Sequence, residues 1–326
     1  MALLTQKERN GLMVAVITGG RPALRDRPTA KYLDDLKAAG HPVCWVLGDW
    51  DAPEYEHDKH EHVVYTRQWA EQYAAEHWPL PGTPEPGQFL GAFVGREYAC
   101  REAERRGCWG VLQLDDNIEF LGMVYNSRSF ANRMGGLRYF ADLLGTAALA
   151  TNGRTVGAQL NSVPAQKTWI RTGFPYSIFV ERILPDRGPW FGPFEDDIMH
   201  SLQYASRATS GTALIMPFLK YGKEAKKMIG MRKNYNHERS KALGRVFPEV
   251  AKTTVIRGKS NGAGAPRVFH KMTGTSIRTP MVIKDRGRFA ALQQEVESTS
   301  RLWAEDNAQR IRKKMEKRAG VHREEV

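Results

Sequence analysis

Residues 108–121 read CWGVLQLDDNIEFL. An apolar run, Val111 to Leu114, stops abruptly at two adjacent carboxylates and an amide, Asp115, Asp116 and Asn117. Folding alone does not ask for this, since desolvation pushes neighbouring carboxylates towards protonation unless a cation stands by. Oxygens at positions i and i+2 of a strand exit suit one hard divalent ion, Mg2+ or Mn2+, with coordination sites left for phosphate oxygens. The plainer reading is a turn or a helix cap, because Asp and Asn serve readily as both.

Towards the N-terminus, LMVAVIT (12–18) has the composition of a buried strand and stops at Gly19-Gly20. A helical pattern follows over 28–40, with Tyr32, Leu33 and Leu36 on one face and Gly40 as its stop. HPVCWVLGDWD (41–51) is a second strand ending in two acids, and HVVYT (62–66) a third. Strand–helix–strand at this spacing predicts an α/β fold with a parallel pair. Towards the C-terminus come a helix over 88–106 stopped by Gly107, a helix over 135–150, a strand over 155–163 and a strand region over 169–184. A Gly/Pro/aromatic loop then runs into a helix starting near Glu195, and GTALIMPFLKYG (211–222) is a late apolar strand. PLPGTPEPGQ (79–88), with four Pro and two Gly, excludes regular structure and reads as a surface loop over a site. SNGAGAP (260–266) reads as a flexible loop, and no fixed-period repeat is present.

Two further motifs carry chemistry. Phe194-Glu195-Asp196-Asp197 places three acids at a helix start. Helix dipoles welcome acids there, but three in a row exceed that need. Asp196, flanked by Glu195 and Asp197, suits a general base acting on a hydroxyl. His200 shares their helical face and is a candidate metal ligand or local partner; His237 and His270 are further ligand candidates, although a lone His is more often simply packed. In Thr18-Gly19-Gly20-Arg21-Pro22, the glycines allow a ligand close to the backbone and Arg21 can pair with a diphosphate. The spacing matches neither a P-loop nor GxGxxG. After the second strand, Asp49 or Asp51 can take a base or ribose hydrogen bond, with Trp50 as a stacking face, or form an ordinary acidic turn.

At 326 residues the chain has room for one large domain or two small ones. Its hydrophobic (41%) and charged (26%) fractions exclude global disorder, and no apolar run approaches a membrane span. Net charge is +12, and it is unevenly placed. Residues 1–219 hold 22 basic and 25 acidic residues, whereas 220–326 hold 26 and 11. That excess suits a polyanion, the alternative being a solvated basic surface. Cys44, Cys100 and Cys108 show no ligand-like pairing and read as reduced thiols of a cytoplasmic protein, in a host cytoplasm if the source is viral.

Taken in order, T-G-G-R-P, an acid after strand two, GREYACREAERRG (95–107), VLQLDDNIEFL and FGPFEDDIMHSL (191–202) resemble the GT-A-fold glycosyltransferases over about residues 11–220. The resemblance implies a Rossmann-like mixed sheet flanked by helices. It implies that Asp115-Asp116-Asn117 is the DxD-like motif holding a nucleotide-sugar diphosphate through a divalent ion. Glu195-Asp196 would be the acceptor-site ED motif, and Arg96 would stand near the nucleotide. The third DxD position is Asn117, which offers an oxygen but no charge. Within that fold, the basic C-terminal third is similar to that of the bacteriophage TET-associated glycosyltransferases, which implies 5-hydroxymethylcytosine in DNA as acceptor. A duplex needs Lys and Arg on its phosphates, and reaching a base hydroxyl favours base flipping, with Trp190, Phe191 or Tyr176 as stacking faces or as plain core.

The expectation is therefore a catalytic domain over 1–220 and a basic, mainly helical, acceptor-binding region over 221–326. The predicted activity is transfer from a nucleotide sugar, a UDP-sugar by preference, with Mn2+ or Mg2+. The rivals are a glycosyltransferase acting on a polysaccharide, lipid-linked or protein acceptor, and a metal-dependent nuclease or DNA-binding protein.

Overall fold

The computed structural model describes residues 3–19, 27–78, 92–125, 129–131, 136–163, 168–192, 194–205, 211–224, 236–256, 267–272 and 278–324. The expected loop over 79–88 and the glycine-rich 260–266 lie outside them.

A short capped helix, α1 (Gln6–Asn10), leads into β1 (Leu12–Ile17), whose neighbours on both sides are parallel. These are β2 (Val43–Gly48) and β4 (Gly110–Asp115); β3 (Glu61–Tyr65) extends the parallel set beyond β2. All-apolar strands are what a parallel sheet covered on both faces requires. The period of two is visible in the packing. Leu12, Val14 and Val16 join one hydrophobic cluster, whereas Met13 and Ala15 join the other. Val43, Trp45 and Leu47 likewise alternate with Cys44 and Val46. One face is covered by α2 (Leu33–Ala38) and α5 (Gly136–Ala150), the other by α3 (Arg67–Glu76) and α4 (Ala92–Arg105). Gly107, at φ +69°, gives α4 the left-handed stop its sequence predicts. All three cysteines are buried and free.

Beyond β4 the sheet turns mixed. β5 (Ile118–Tyr125) and β6 (Ser129–Ala131) form a hairpin; β7 (Gly153–Leu160), β8 (Arg171–Thr172) and β9 (Ile178–Arg182) follow α5. After α6 (Asp196–Ala205), β10 (Thr212–Lys223) inserts between β7 and β5. The order is β3-β2-β1-β4-β9-β7-β10-β5-β6, with β8 pairing β10 off that path. The fold is thus a mixed α/β sheet flanked by helices. The expected strand region 169–184 is in fact two short strands separated by residues 173–177.

The C-terminal third is less separate than its charge suggests. β10 runs to Lys223, through the expected boundary at 220. Helix α7 (Asn236–Val246) and a hairpin, β11 (Ala251–Ile256) with β12 (Arg267–Met272), pack on α6 through Leu243 and Phe247 against Ile198 and Leu202. The basic pattern alone does not reveal that hairpin. Helix α8 (Arg286–Glu324) returns to α5, β5 and β6, burying Leu292 and Val296 in the main core. Its residues beyond Ser300 are largely exposed, including Leu302, Ile311 and Met315. No helix among the described residues is long and apolar enough to cross a membrane.

Candidate active site

In open α/β sheets ligands collect at the carboxyl ends of parallel strands, where the strand order reverses. Here that point lies between β1 and β4, and both strands end in polar residues. On β4 the alternation puts Gln113 and Asp115 on the same face as Val111, towards α4. From α4, the buried guanidinium of Arg96 meets them. Its Nη2 donates to Asp115 Oδ1 at 2.8 Å, Nη1 to Gln113 Oε1 at 3.4 Å, and Nε to Asp196 Oδ2 at 3.1 Å. One side chain, 3% exposed, thus joins the two acidic motifs, separated by some eighty residues of sequence.

The other oxygen of Asp115 is ion-paired with Lys223 at the end of β10. Burial works against the charge, but Lys223 and Arg96 hold this carboxyl well below the ordinary carboxylate range. Asp196 and Asp197 are a half-buried, mutually repelling pair at the start of α6, and desolvation pushes both upwards. Asp197 moves furthest, since the charges of Asp196 and Glu195 add to its burial. Arg96 favours the ionised form of Asp196.

Among the described residues two non-glycines have positive φ, Ser177 at 59° and Glu195 at 54°. Both stand here. Ser177 turns the chain before β9, its carbonyl accepting from Asp115 N–H at 2.9 Å. Glu195 begins α6, its carbonyl accepting from Met199 N–H at 2.8 Å. Such conformations cost on the order of 1–3 kcal/mol each and cluster at functional sites. Sequence reasoning missed Ser177, although the Pro175-Tyr-Ser step is a turn signal. It also missed Thr29, which fixes the acidic corner. Thr29 Oγ1 donates to Asp115 O at 2.7 Å and accepts from Ile118 N–H at 2.9 Å.

At the end of β1, Thr18 Oγ1 donates to Asp116 Oδ2 at 2.9 Å and lies 2.9 Å from Tyr55 Oη. Gly19 leaves the backbone open towards Asp51, whose Oδ2 would sit 3.0 Å from an added Cβ. Asp49, expected at the donor, instead caps α3 by accepting from Arg67 N–H at 3.1 Å, because β2 ends against that helix start; Asp51 is the carboxylate that faces β1. Trp50 folds back over Gly48, where any Cβ would meet its ring at 2.5 Å, and carries the Arg67 guanidinium 4.7 Å from its centroid. Gly20 and Arg21 lie outside the described residues.

Two expectations are corrected. His200 is not beside the acidic corner; it is fully buried, with Nε2 2.7 Å from Glu181 Oε1. Trp190 is no exposed stacking face. It is 1% exposed, stacked on His200 with centroids 3.9 Å apart, and its Nε1 donates to Glu181 Oε2 at 2.9 Å. Cys100 and Gln113 complete the shell of Glu181, which Gln113 links to Arg96. His200 and Trp190 therefore pin the loop and α6 rather than meet a ligand. Tyr176 and Phe191 are half-buried against the cluster shared by α6 and α7. His237 lies on α7 and His270 on β12, with their side chains outside the description.

Among the described residues no three His, Cys, Asp or Glu side chains gather as a ready metal site. The corner does offer hard oxygens. Among the described residues, Asn117 Oδ1 is buried and has no hydrogen-bond partner, and the same holds for Glu224 Oε2 on the neighbouring strand end. Orphaned acceptors beside a charged carboxylate fit an oxygen-seeking divalent ion.

No family model matches the chain, and no curated protein matches it. Solved structures do. Glucosyl-3-phosphoglycerate synthase from Mycobacterium tuberculosis, in complex with Mn2+, uridine diphosphate and phosphoglyceric acid, is similar over 82% of this chain and 90% of its own, at 9% identity and a TM-score of 0.46. Mannosyl-3-phosphoglycerate synthase from Rubrobacter xylanophilus is similar over 87% and 91%, at 10% identity and 0.39. A mycobacterial protein is similar over 81% and 86%, at 10% identity and 0.45. At such identities no residue role passes from them to this chain.

Proposed function

We propose that the chain is a glycosyltransferase of GT-A type that takes a nucleotide sugar, by preference a UDP-sugar, with a divalent ion. The observation that carries this is the Arg96 fork, which holds the Asp115 corner and Asp196 on neighbouring donors of one buried cation. A donor diphosphate needs positive charge at a strand end, and an acceptor hydroxyl needs a nearby base; the fork brings the two together. Asp115 and Asn117 would hold the ion, which when bound stabilises negative charge on the departing diphosphate. Thr18, Gly19 and Asp51 border the nucleotide side. Asp196, held by Arg96, takes the proton of the acceptor hydroxyl, and its neighbour Asp197 can share that proton.

For the acceptor we favour 5-hydroxymethylcytosine in DNA, on the basic exposed half of α8 and the Lys/Arg-rich last third. With Trp190 in the core, Phe191 and Tyr176 remain as base-facing aromatics. The test pairs hydroxymethylated and plain DNA with a panel of nucleotide sugars and weighs the nucleosides. A hexose-sized mass gain on the hydroxymethylated DNA alone is expected, lost in Asp115→Ala. Donor hydrolysis without gain on either DNA removes the DNA acceptor and leaves the transferase; cleavage of plain DNA with no use of any sugar nucleotide removes both.

A further inference from the structure

The end of β10 meets the Asp115–Asn117 corner through an irregularity. β10 and β5 keep antiparallel register from Leu219↔Met123 to Gly222↔Phe120; the next pair is Lys223↔Ile118, so Glu119 is an extra residue on β5. Such a bulge re-aims side chains, and bulges concentrate beside active sites. The two residues that follow it, Lys223 and Glu224, close the strand beside Asp115 and Asn117. Lys223 places its ammonium on Asp115 Oδ2. Glu224 donates its N–H to Asn117 O at 3.0 Å, which makes the two residues direct cross-strand partners. Opposed antiparallel residues hold their Cβ atoms about 4.5–5.5 Å apart.

That pairing makes neighbours of two residues that each carry an orphaned acceptor. Asn117 Oδ1 and Glu224 Oε2 are both buried, and neither has a donor among the described residues. An unsatisfied buried acceptor costs about 1–3 kcal/mol, more when charged, so two together call for a shared positive partner. Lys223 does not supply it, because its ammonium is on Asp115. Its side chain is 32% exposed and free to move outwards, unlike Arg96.

We propose that the end of β10 is the second half of the cation site: Glu224 adds the oxygen and the charge that Asn117 lacks, and Lys223 holds the place on Asp115 that a divalent ion takes. This rests on the metal-dependent donor reading above.

The two neighbours predict effects of opposite sign, read as Mn2+ affinity of the full chain by electron paramagnetic resonance, with and without UDP. Glu224→Gln keeps the shape and removes the charge; it weakens Mn2+ binding by about 10- to 100-fold. Lys223→Met removes the competing cation and tightens Mn2+ binding without UDP by about tenfold. Asn117→Asp in the Glu224→Gln background restores the affinity, which guards against a folding defect in the single variant. A Glu224→Gln affinity within twofold of the parent, or weaker binding in Lys223→Met, overturns the proposal. A parent chain that binds UDP in chelator but takes no Mn2+ also overturns it and leaves the transferase reading standing. Binding of neither ligand removes both.

Discussion

Replacing Arg96 by Met leaves a side chain of comparable length and no charge, facing two carboxylates that stay in place. Breaking a buried ion pair by removing one partner costs about 3–5 kcal/mol, because the charge left behind is uncompensated. Two carboxylates lose their partner here, but Asp115 and Asp196 are 22% and 19% exposed, so water recovers part of the cost. Lys223 also remains on Asp115. The lower end, about 3 kcal/mol, is the expected loss at neutral pH. In a chain of this size that lowers the melting temperature by roughly 4–5 °C. The pH dependence carries the sign. Asp115 is held below its ordinary range, so its contribution is present above the unfolded carboxylate value and disappears as pH falls through the folded one. The gap between parent and variant should therefore be widest near pH 7 and narrow steadily below about pH 4. Thermal melts from pH 7 down to about pH 2 measure it. Arg96→Met with Asp115→Asn and Asp196→Asn removes the stranded charges and should regain most of the loss. A gap of equal size at every pH, or no recovery in the triple variant, refutes the electrostatic account of the fork.

Glu181→Ala leaves His200, Cys100, Gln113 and Trp190 without their shared acceptor, and should cost about 3–5 kcal/mol in urea unfolding. Although burial opposes it, His200 helps hold Glu181 down near 2, so this contribution is lost only between the ordinary carboxylate range and about that pH. Thr29→Val removes both hydrogen bonds at the acidic corner; about 1–3 kcal/mol of stability and a rise in the donor KM are expected, checked by melts and donor hydrolysis. A chain ending at Ser300 should melt within about 2 °C of the parent and lose salt-sensitive duplex binding, whereas one ending at Asp285 should fail to fold, since Leu292 and Val296 leave the core. Gel filtration, melts and a salt titration of DNA binding separate these outcomes.

The half of the sheet that was legible in the sequence is the half built from continuous apolar strands. β1, β2 and β4 announce themselves by composition, and the acids at 115–116 and 195–197 stand out because nothing in folding calls for them. What stayed hidden depends on partners remote in sequence. His200 and Trp190 look like ligand and stacking residues in isolation, and only their packing on Glu181 gives them to the core. Asp49 and Asp51 are indistinguishable until α3 is placed. Lys223 and Glu224 close an apolar strand as an ordinary charged pair, and the bulge beside them belongs to the partner strand. Charge drew the domain boundary at the wrong depth, because basicity reports on the surface of α8 and says nothing of Leu292 and Val296 beneath it.

The return of α8 also sets an order of events at the ribosome. β10 fills the gap between β7 and β5, and Leu292 and Val296 seal the face above them, so the sheet that carries Asp115 is finished only when residues near 296 have emerged. At about 5–20 residues per second, roughly 10–35 s of synthesis separate the two. Until β10 follows, β5 and β7 present unpaired edges, the kind of surface that nascent-chain chaperones shield. The Asp115–Asp196 fork can close early, but Lys223 and the cover that keeps the sheet dry arrive late.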